Sequence, residues 1–134
     1  MLITQTPLRI SFAGGGTDLS PYCDQFGGAV LNATIDRFAF AHIDINADGR
    51  LAFRARDIGV EEVMDPCLPA PGHGELGLHR AVYRHVVQTW LGGETPALTV
   101  STTSDAPAGS GLGSSSAIVV ALVEAFRVAL DLPL

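Results

Sequence analysis

The chain contains no lysine: all eight of its basic residues are arginines. A Walker-type phosphate loop needs its lysine and a Schiff-base enzyme needs an amine, so these 134 residues supply neither chemistry. Charge is sparse, 16% of residues, and its balance is acidic, with a formal net charge of −6. No basic stripe runs through the sequence, which argues against a nucleic-acid partner. Any anion must therefore be held by local amides, arginines or a metal ion. Cysteine is nearly absent. Cys23 and Cys67 lie far apart, with no CxxC and no histidine pair at ligand spacing, and read as two free thiols of a reducing compartment. The start Met1-Leu2-Ile3-Thr4-Gln5 has neither a basic segment nor a long apolar one. The expected location is thus the cytoplasm, and the glycosylation pattern Asn32-Ala33-Thr34 is a chance match. The apolar run Ala117 to Leu130 is too short, and with Glu124 and Arg127 too charged, for a membrane span.

What is present suits one soluble domain: 47% hydrophobic residues and a length sufficient for a real core but short for a two-domain enzyme. Leu2 to Ala13 reads as extended, with Pro7 marking an edge, a bulge or a break because proline cannot donate to a ladder. Gly14-Gly15-Gly16 ends that strand. Thr17 or Asp18 would cap a short helix over Ser20 to Gln25, closed by Gly27-Gly28. Ala29 to Ile45 alternates, with Ile35, Arg37, Ala39, Ala41 and Ile43 on one face. The turn Asn46-Ala47-Asp48-Gly49 then predicts a hairpin with Arg50 to Arg54 as partner strand. Residues 57–77, broken by Pro66, Pro69, Pro71, Gly72, Gly74 and Gly77, read as a loop with a short helical turn around Val60 to Met64. Leu78, Val82, Val86 and Trp90 define an amphipathic helix that Gly92-Gly93 stops. Arg80 and Arg84, one turn apart, read as a solvated face, and His42, His79 and His85 as ordinary side chains.

The last third carries the chemistry. A β-rich strand, Ala97 to Thr103, leads into the small-residue loop Ser104 to Ser116, which runs directly into the buried apolar helix. Glycines at 109, 111 and 113 let the backbone approach a ligand closely. The helix behind them offers free N–H groups and the positive end of its dipole. Three serines at its start add hydroxyls for a phosphate oxygen or Mg²⁺. A flexible glycine-serine linker has no reason to be pinned between a strand and an apolar helix. A dinucleotide fingerprint fits poorly, since neither glycine cluster has GxGxxG spacing and only Asp36 could serve a ribose.

Pro107-Ala-Gly-Ser-Gly-Leu-Gly-Ser-Ser-Ser-Ala117 resembles the second motif of the GHMP kinases, the family of galactokinase, homoserine kinase, mevalonate kinase and phosphomevalonate kinase. Pro7-Leu-Arg-Ile-Ser-Phe-Ala-Gly-Gly-Gly-Thr-Asp18 resembles their first motif, and the two stand in the family's order. Within the family both are most similar to those of the bacterial heptose kinases, which phosphorylate the anomeric oxygen of D-glycero-D-manno-heptose 7-phosphate. Fucokinase shares a similar first motif, so fucose or galactose stay open as the sugar. The resemblance implies an α+β fold, the GHMP N-terminal domain with its ribosomal protein S5 domain 2-like architecture. It implies ATP as co-substrate and Mg²⁺ as cofactor. By it, Arg9 stabilises charge on the transferred phosphoryl group as the catalytic residue. Thr17 and Asp18 contact hydroxyls of the sugar or sugar phosphate. Pro107, Gly109, Ser110, Gly111, Leu112, Gly113, Ser114 and Ser115 bind the ATP phosphates. Ser115 is the candidate Mg²⁺ ligand, with Ser114 close behind.

The sequence departs from the family in one respect. It reaches Asp131-Leu132-Pro133-Leu134 without the third glycine motif of the family's C-terminal domain, and no carboxylate matches the family's proposed base. The expectation is an N-terminal, ATP-binding domain spanning 1–134, cut short and inactive alone. A catalytically silent nucleotide-binding fragment is the other reading, and a homodimer stays open as the assembly.

Overall fold

A computed structural model describes residues 2–70 and 72–133; Pro71, Met1 and Leu134 lie outside the described residues. Its elements run β1 (Leu2–Ala13), α1 (Tyr22–Phe26), β2 (Leu31–Ile45), β3 (Leu51–Ala55), β4 (Val60–Met64), α2 (Gly77–Thr89), β5 (Leu98–Ser104) and α3 (Ser114–Ala129). The five strands form one sheet in the order β1-β2-β5-β3-β4. All pairings are antiparallel except β3 with β5. This is the expected α+β arrangement.

Pro7 fits its reading. β1 is an edge strand, and the register with β2 shifts between Pro7 and Arg9, where a missing N–H is tolerated. The alternation in β2 also holds, with Ala39, Ala41 and Ile43 buried toward the helices. Two strand expectations fail. Arg50 to Arg54 does not pair with β2: β5 inserts between them, and β3 runs parallel to it. Val60 to Met64 is not a helical turn but a strand, the hairpin partner of β3 with Leu51 opposite Met64. Its apolar spacing permits either form, and only the neighbouring strand decides.

The core lies between the sheet and the two long helices. Phe53 of β3, Tyr83 of α2 and Phe126 of α3, all fully buried, meet edge-on or tilted, with centroids 5.7 and 6.2 Å apart. A smaller cluster, Leu8, Ala39, Ala106 and Ala117, sits beneath the glycine-rich segment that precedes α3. α3 buries Ala117, Ala121, Leu122, Ala125 and Phe126 and leaves Val120 and Val128 exposed. Arg80 and Arg84 do not form a solvated face. Arg80 is paired with Glu62 at 2.5 Å and donates to the His73 carbonyl, and Arg84 donates to the Pro69 carbonyl. The two arginines thus tie Glu62, Pro69 and His73 to α2. Neither cysteine is in a disulfide.

Candidate phosphate-binding site

The segment between β5 and α3 has two fixed ends and a free middle. At its entrance Asp105 and Phe38 of β2 exchange two hydrogen bonds: the Asp105 amide donates to the Phe38 carbonyl at 2.9 Å, and the Phe38 amide to Asp105 Oδ2 at 2.8 Å. Ala106 is buried immediately after. At its exit the Arg9 amide donates to the Leu112 carbonyl at 2.9 Å, which ties the loop to β1. Between these points Pro107 to Gly111 are exposed, bent by a turn in which the Ser110 amide donates to the Pro107 carbonyl. All three glycines take positive φ, and Gly113, at φ 70°, is the N-cap of α3. No side chain caps that helix. Its first-turn N–H groups and its positive dipole end are therefore available to an anion.

The first motif reaches this loop through Arg9. Beyond its main-chain bond, its side chain lies over Gly113: a Cβ built there would stand 3.0 Å from Arg9 Cγ and Nε. A guanidinium is thus held beside the N-terminus of α3, and it enters no ion pair among the described residues. Two candidate motifs far apart in sequence are brought into direct contact.

Thr17 and Asp18 are placed differently from one another. The Thr17 hydroxyl lies 2.7 Å from the Gly14 carbonyl and 3.1 Å from that of Ala29, and accepts the Ala29 amide at 3.2 Å. It cross-links the glycine turn to the start of β2. Asp18 is exposed, and its carboxylate is in no ion pair among the described residues. Neither caps α1, whose N-cap is Pro21 and which has no side-chain cap.

Beside the loop opens a cavity of about 360 Å³, lined by Ser114 and Ser115, by Asp57 and Glu75, and by apolar Ile58 and Ile118 among others. Serines and the helix end suit phosphate. The carboxylates suit hydroxyl or amino donors and repel an anion, so a bound nucleotide would have a defined polarity. His79, on the same lining, is one residue the sequence reading missed. It is buried in α2 with Nε2 2.8 Å from Thr102 Oγ1. Burial lowers its pKa to about 4, outweighing the Arg54 carbonyl and Asp57 carboxylate that raise it. The ring is neutral at pH 7. Only its spacing, three, four and seven residues before Val82, Tyr83 and Val86, could have hinted at this.

No cluster of three or more His, Cys, Asp or Glu stands at metal-binding distance among the described residues. Ser115, exposed on the first turn of α3, contributes one hydroxyl oxygen. Such a donor set fits a hard cation that arrives with its own phosphate ligands, not a preformed cage. Among the described residues no helix is long and apolar enough to cross a membrane.

The family model of the GHMP kinases N terminal domain matches residues 78–134. Over 132 residues the chain is 38% identical to a Campylobacter jejuni protein named D-glycero-alpha-D-manno-heptose 7-phosphate kinase, covering 98% of this chain and 38% of that one. A crystal structure from Bacteriodes thetaiotaomicron, described as a D-glycero-D-manno-heptose 1-phosphate kinase, superposes with TM-score 0.88 at 39% identity, covering 99% of this chain and 44% of that one. The mevalonate kinase of Methanococcus jannaschii, at 15% identity, TM-score 0.80 and coverage of 99% of this chain and 41% of that one, shares the fold alone. The chain spans about two fifths of the length of these relatives.

Proposed function

Since the chain belongs to the GHMP kinase family, as an N-terminal domain, we propose that it forms the nucleotide-binding part of an ATP-dependent sugar kinase acting on the anomeric hydroxyl of a heptose 7-phosphate. The observation that carries this reading is Arg9, whose guanidinium stem lies across Gly113 at the N-terminus of α3. One cation there serves both the phosphate loop and the segment that leads to Asp18.

In the reaction the sugar oxygen attacks the γ-phosphorus, the bond to the β,γ-bridging oxygen breaks, ADP leaves and the hydroxyl proton goes to solvent or to a base outside these residues. The amides of Gly109, Gly111 and Gly113 and the first turn of α3 hold the β- and γ-phosphates, while the Ser110 amide is taken by the Pro107 carbonyl. Pro107, Ser110 and Leu112 shape the arch, and Ser114 lies on the cavity lining. Arg9 stabilises charge on the transferring oxygens, a term that dominates a loose transition state. Asp18 accepts hydrogen bonds from sugar hydroxyls, and Thr17 holds the turn on which Asp18 sits. Mg²⁺, when bound, neutralises charge on the β- and γ-oxygens, and Ser115 is the residue that would hold it. A cytoplasmic site of action agrees with the class of reaction.

The names of the relatives support a heptose phosphate, and they differ in the position of its phosphate. The test supplies a longer form of the protein, matched in length to those relatives, with Mg²⁺-ATP and either heptose 7-phosphate, heptose 1-phosphate, fucose or galactose. ADP release with the 7-phosphate and a new anomeric phosphorus resonance are expected. Release with another of these sugars and none with the 7-phosphate would overturn the choice of substrate. Arg9→Ala should lower kcat by about 10³-fold, the scale of a phosphoryl-contacting arginine. The 134-residue chain alone is expected to bind nucleotide without turnover, because no carboxylate in it is assigned as base. Sugar-dependent ADP formation by this chain would refute that.

A further inference from the structure

The phosphate loop needs something to fix where it leaves the sheet, and the geometry points to Asp105 as the residue that does so. We propose that Asp105 is a positioning residue for the loop, acting through the backbone of Phe38; this rests on the reading that the loop binds nucleotide phosphate.

β5 ends at Ser104, and its ladder with β2 ends there too, with Ser104 opposite Ala39. One residue further on, Asp105 extends that ladder by one more rung. Its amide donates to the Phe38 carbonyl, and its carboxylate takes the place of a main-chain carbonyl as acceptor for the Phe38 amide, at 2.8 Å. A residue with no side-chain acceptor would make only the first bond, and the strand would fray where the loop begins. The contact stays at the rim of the sheet, where Phe38 is half-buried and Asp105 exposed.

The rung matters because of the arch it anchors. Ala106 is buried among Leu8, Ala39 and Ala117, and the arch Pro107 to Gly111 then has no side-chain hydrogen bond to the rest of the fold among the described residues. The arch is suspended between the Asp105–Phe38 pair on β2 and the Leu112–Arg9 bond on β1. The second tie is main chain to main chain, so side-chain chemistry cannot vary it. The first is half main chain, but its other half is the Asp105 carboxylate. Beside it, among the described residues, only the longer bond from the Ala106 amide to Ser104 Oγ, at 3.3 Å, depends on a side chain. Loosening the carboxylate bond lets the amides that face a phosphate sample other directions, and an anion site made of amides depends on their convergence. The negative charge itself does not help an anion site, so the carboxylate acts as an acceptor in a fixed place.

Asp105→Asn keeps an oxygen acceptor and removes the charge, whereas Asp105→Ala removes both. Calorimetry with Mg²⁺-ADP and amide exchange by NMR are run on wild type and both variants, with circular dichroism to verify the fold. Asp105→Ala should weaken Mg²⁺-ADP about tenfold, the loss expected for one hydrogen bond to a charged group, and Asp105→Asn should bind within about twofold of wild type. The Arg9 amide, at the far end of the loop, should exchange at least about tenfold faster in Asp105→Ala and at the wild-type rate in Asp105→Asn. A purely local structural role would speed exchange at Phe38 and leave Arg9 unchanged, and that outcome overturns the proposal. Equal losses in the two variants would assign the effect to charge and overturn it as well. Absence of Mg²⁺-ADP binding by wild type would instead count against the phosphate reading of the loop, while the exchange rates at Arg9 still decide the role of Asp105.

Discussion

The chain has two glycine-rich segments, and their glycines answer to different constraints. In the first, a Cβ on Gly14 would stand 1.8 Å from the Ala29 carbonyl oxygen, and one on Gly28 2.0 Å from that of Thr17. Backbone meets backbone there, and no side chain fits. In the second, a Cβ on Gly109 or Gly111 would meet nothing within 4 Å. Those positions take positive φ in open space, so it is the backbone conformation and not a neighbour that calls for glycine there. The contrast holds between individual positions rather than whole segments, since Gly16 also stands in open space and Gly113 is crowded by the Arg9 side chain: Gly14 and Gly28 mark close packing, Gly109 and Gly111 open space.

The sharpest way to break this contrast is alanine at the packed glycines. Gly14→Ala or Gly28→Ala should each cost about 3 kcal/mol or more of stability, measured by urea unfolding, because carbonyl groups must move to admit a methyl. A change under about 1 kcal/mol would mean the two segments do not touch.

The floor of the second region can be probed through His79. Its folded pKa lies below the unfolded value, so the stability it confers is fully present above the ordinary value of 6.5 and is lost as pH falls toward about 4. Over that window the loss should approach about 3 kcal/mol, and the pH slope of unfolding should flatten in His79→Gln. Identical slopes in the two proteins would show that the ring is not held neutral.

At the open glycines the prediction separates folding from binding. Gly111→Val should cost only about 1–2 kcal/mol for the left-handed backbone yet abolish nucleotide binding by calorimetry. Unchanged affinity would remove the loop from the site. The smallest stability effect belongs to exposed Arg9, where Arg9→Ala should stay within about 0.5 kcal/mol while turnover collapses. A large stability loss there would make Arg9 a strut.

Both glycine segments are legible in the sequence as places where the chain must turn, and periodicity gives the order of most elements. Partnership is not legible in the same way. The turn signal after β2 and the β-rich residues of β3 are sound as local features, but pairing them assumes nearness in sequence, and β5 takes that place. Val60 to Met64 fails for a related reason, since five residues with apolar positions at both ends fit a turn of helix until a neighbour is known. The role of Arg9 beside the loop is accessible only through family resemblance, because its contact with Gly113 joins opposite ends of the sequence. Thr17 shows the limit at finer scale: its type suits a substrate contact, and its hydroxyl is taken up by Gly14 and Ala29. Asp105 carries no signal at all, because its meaning depends on the register of β5 with β2.

The insertion of β5 between β2 and β3 has a consequence for how the chain acquires its fold over time. Until residues 98–104 are in place, β2 and β3 have no common neighbour, and the cooperative core cannot close around Phe53. The loop behind β5 then completes itself against β1, the earliest of these strands to be synthesised, through Arg9 and Leu112. Such long-separation contacts favour slow folding that commits late. The anion affinity proposed for the loop would thus arise in one step, only after residues 98–116 have been made and paired, so that capture of nucleotide would report that the sheet is whole.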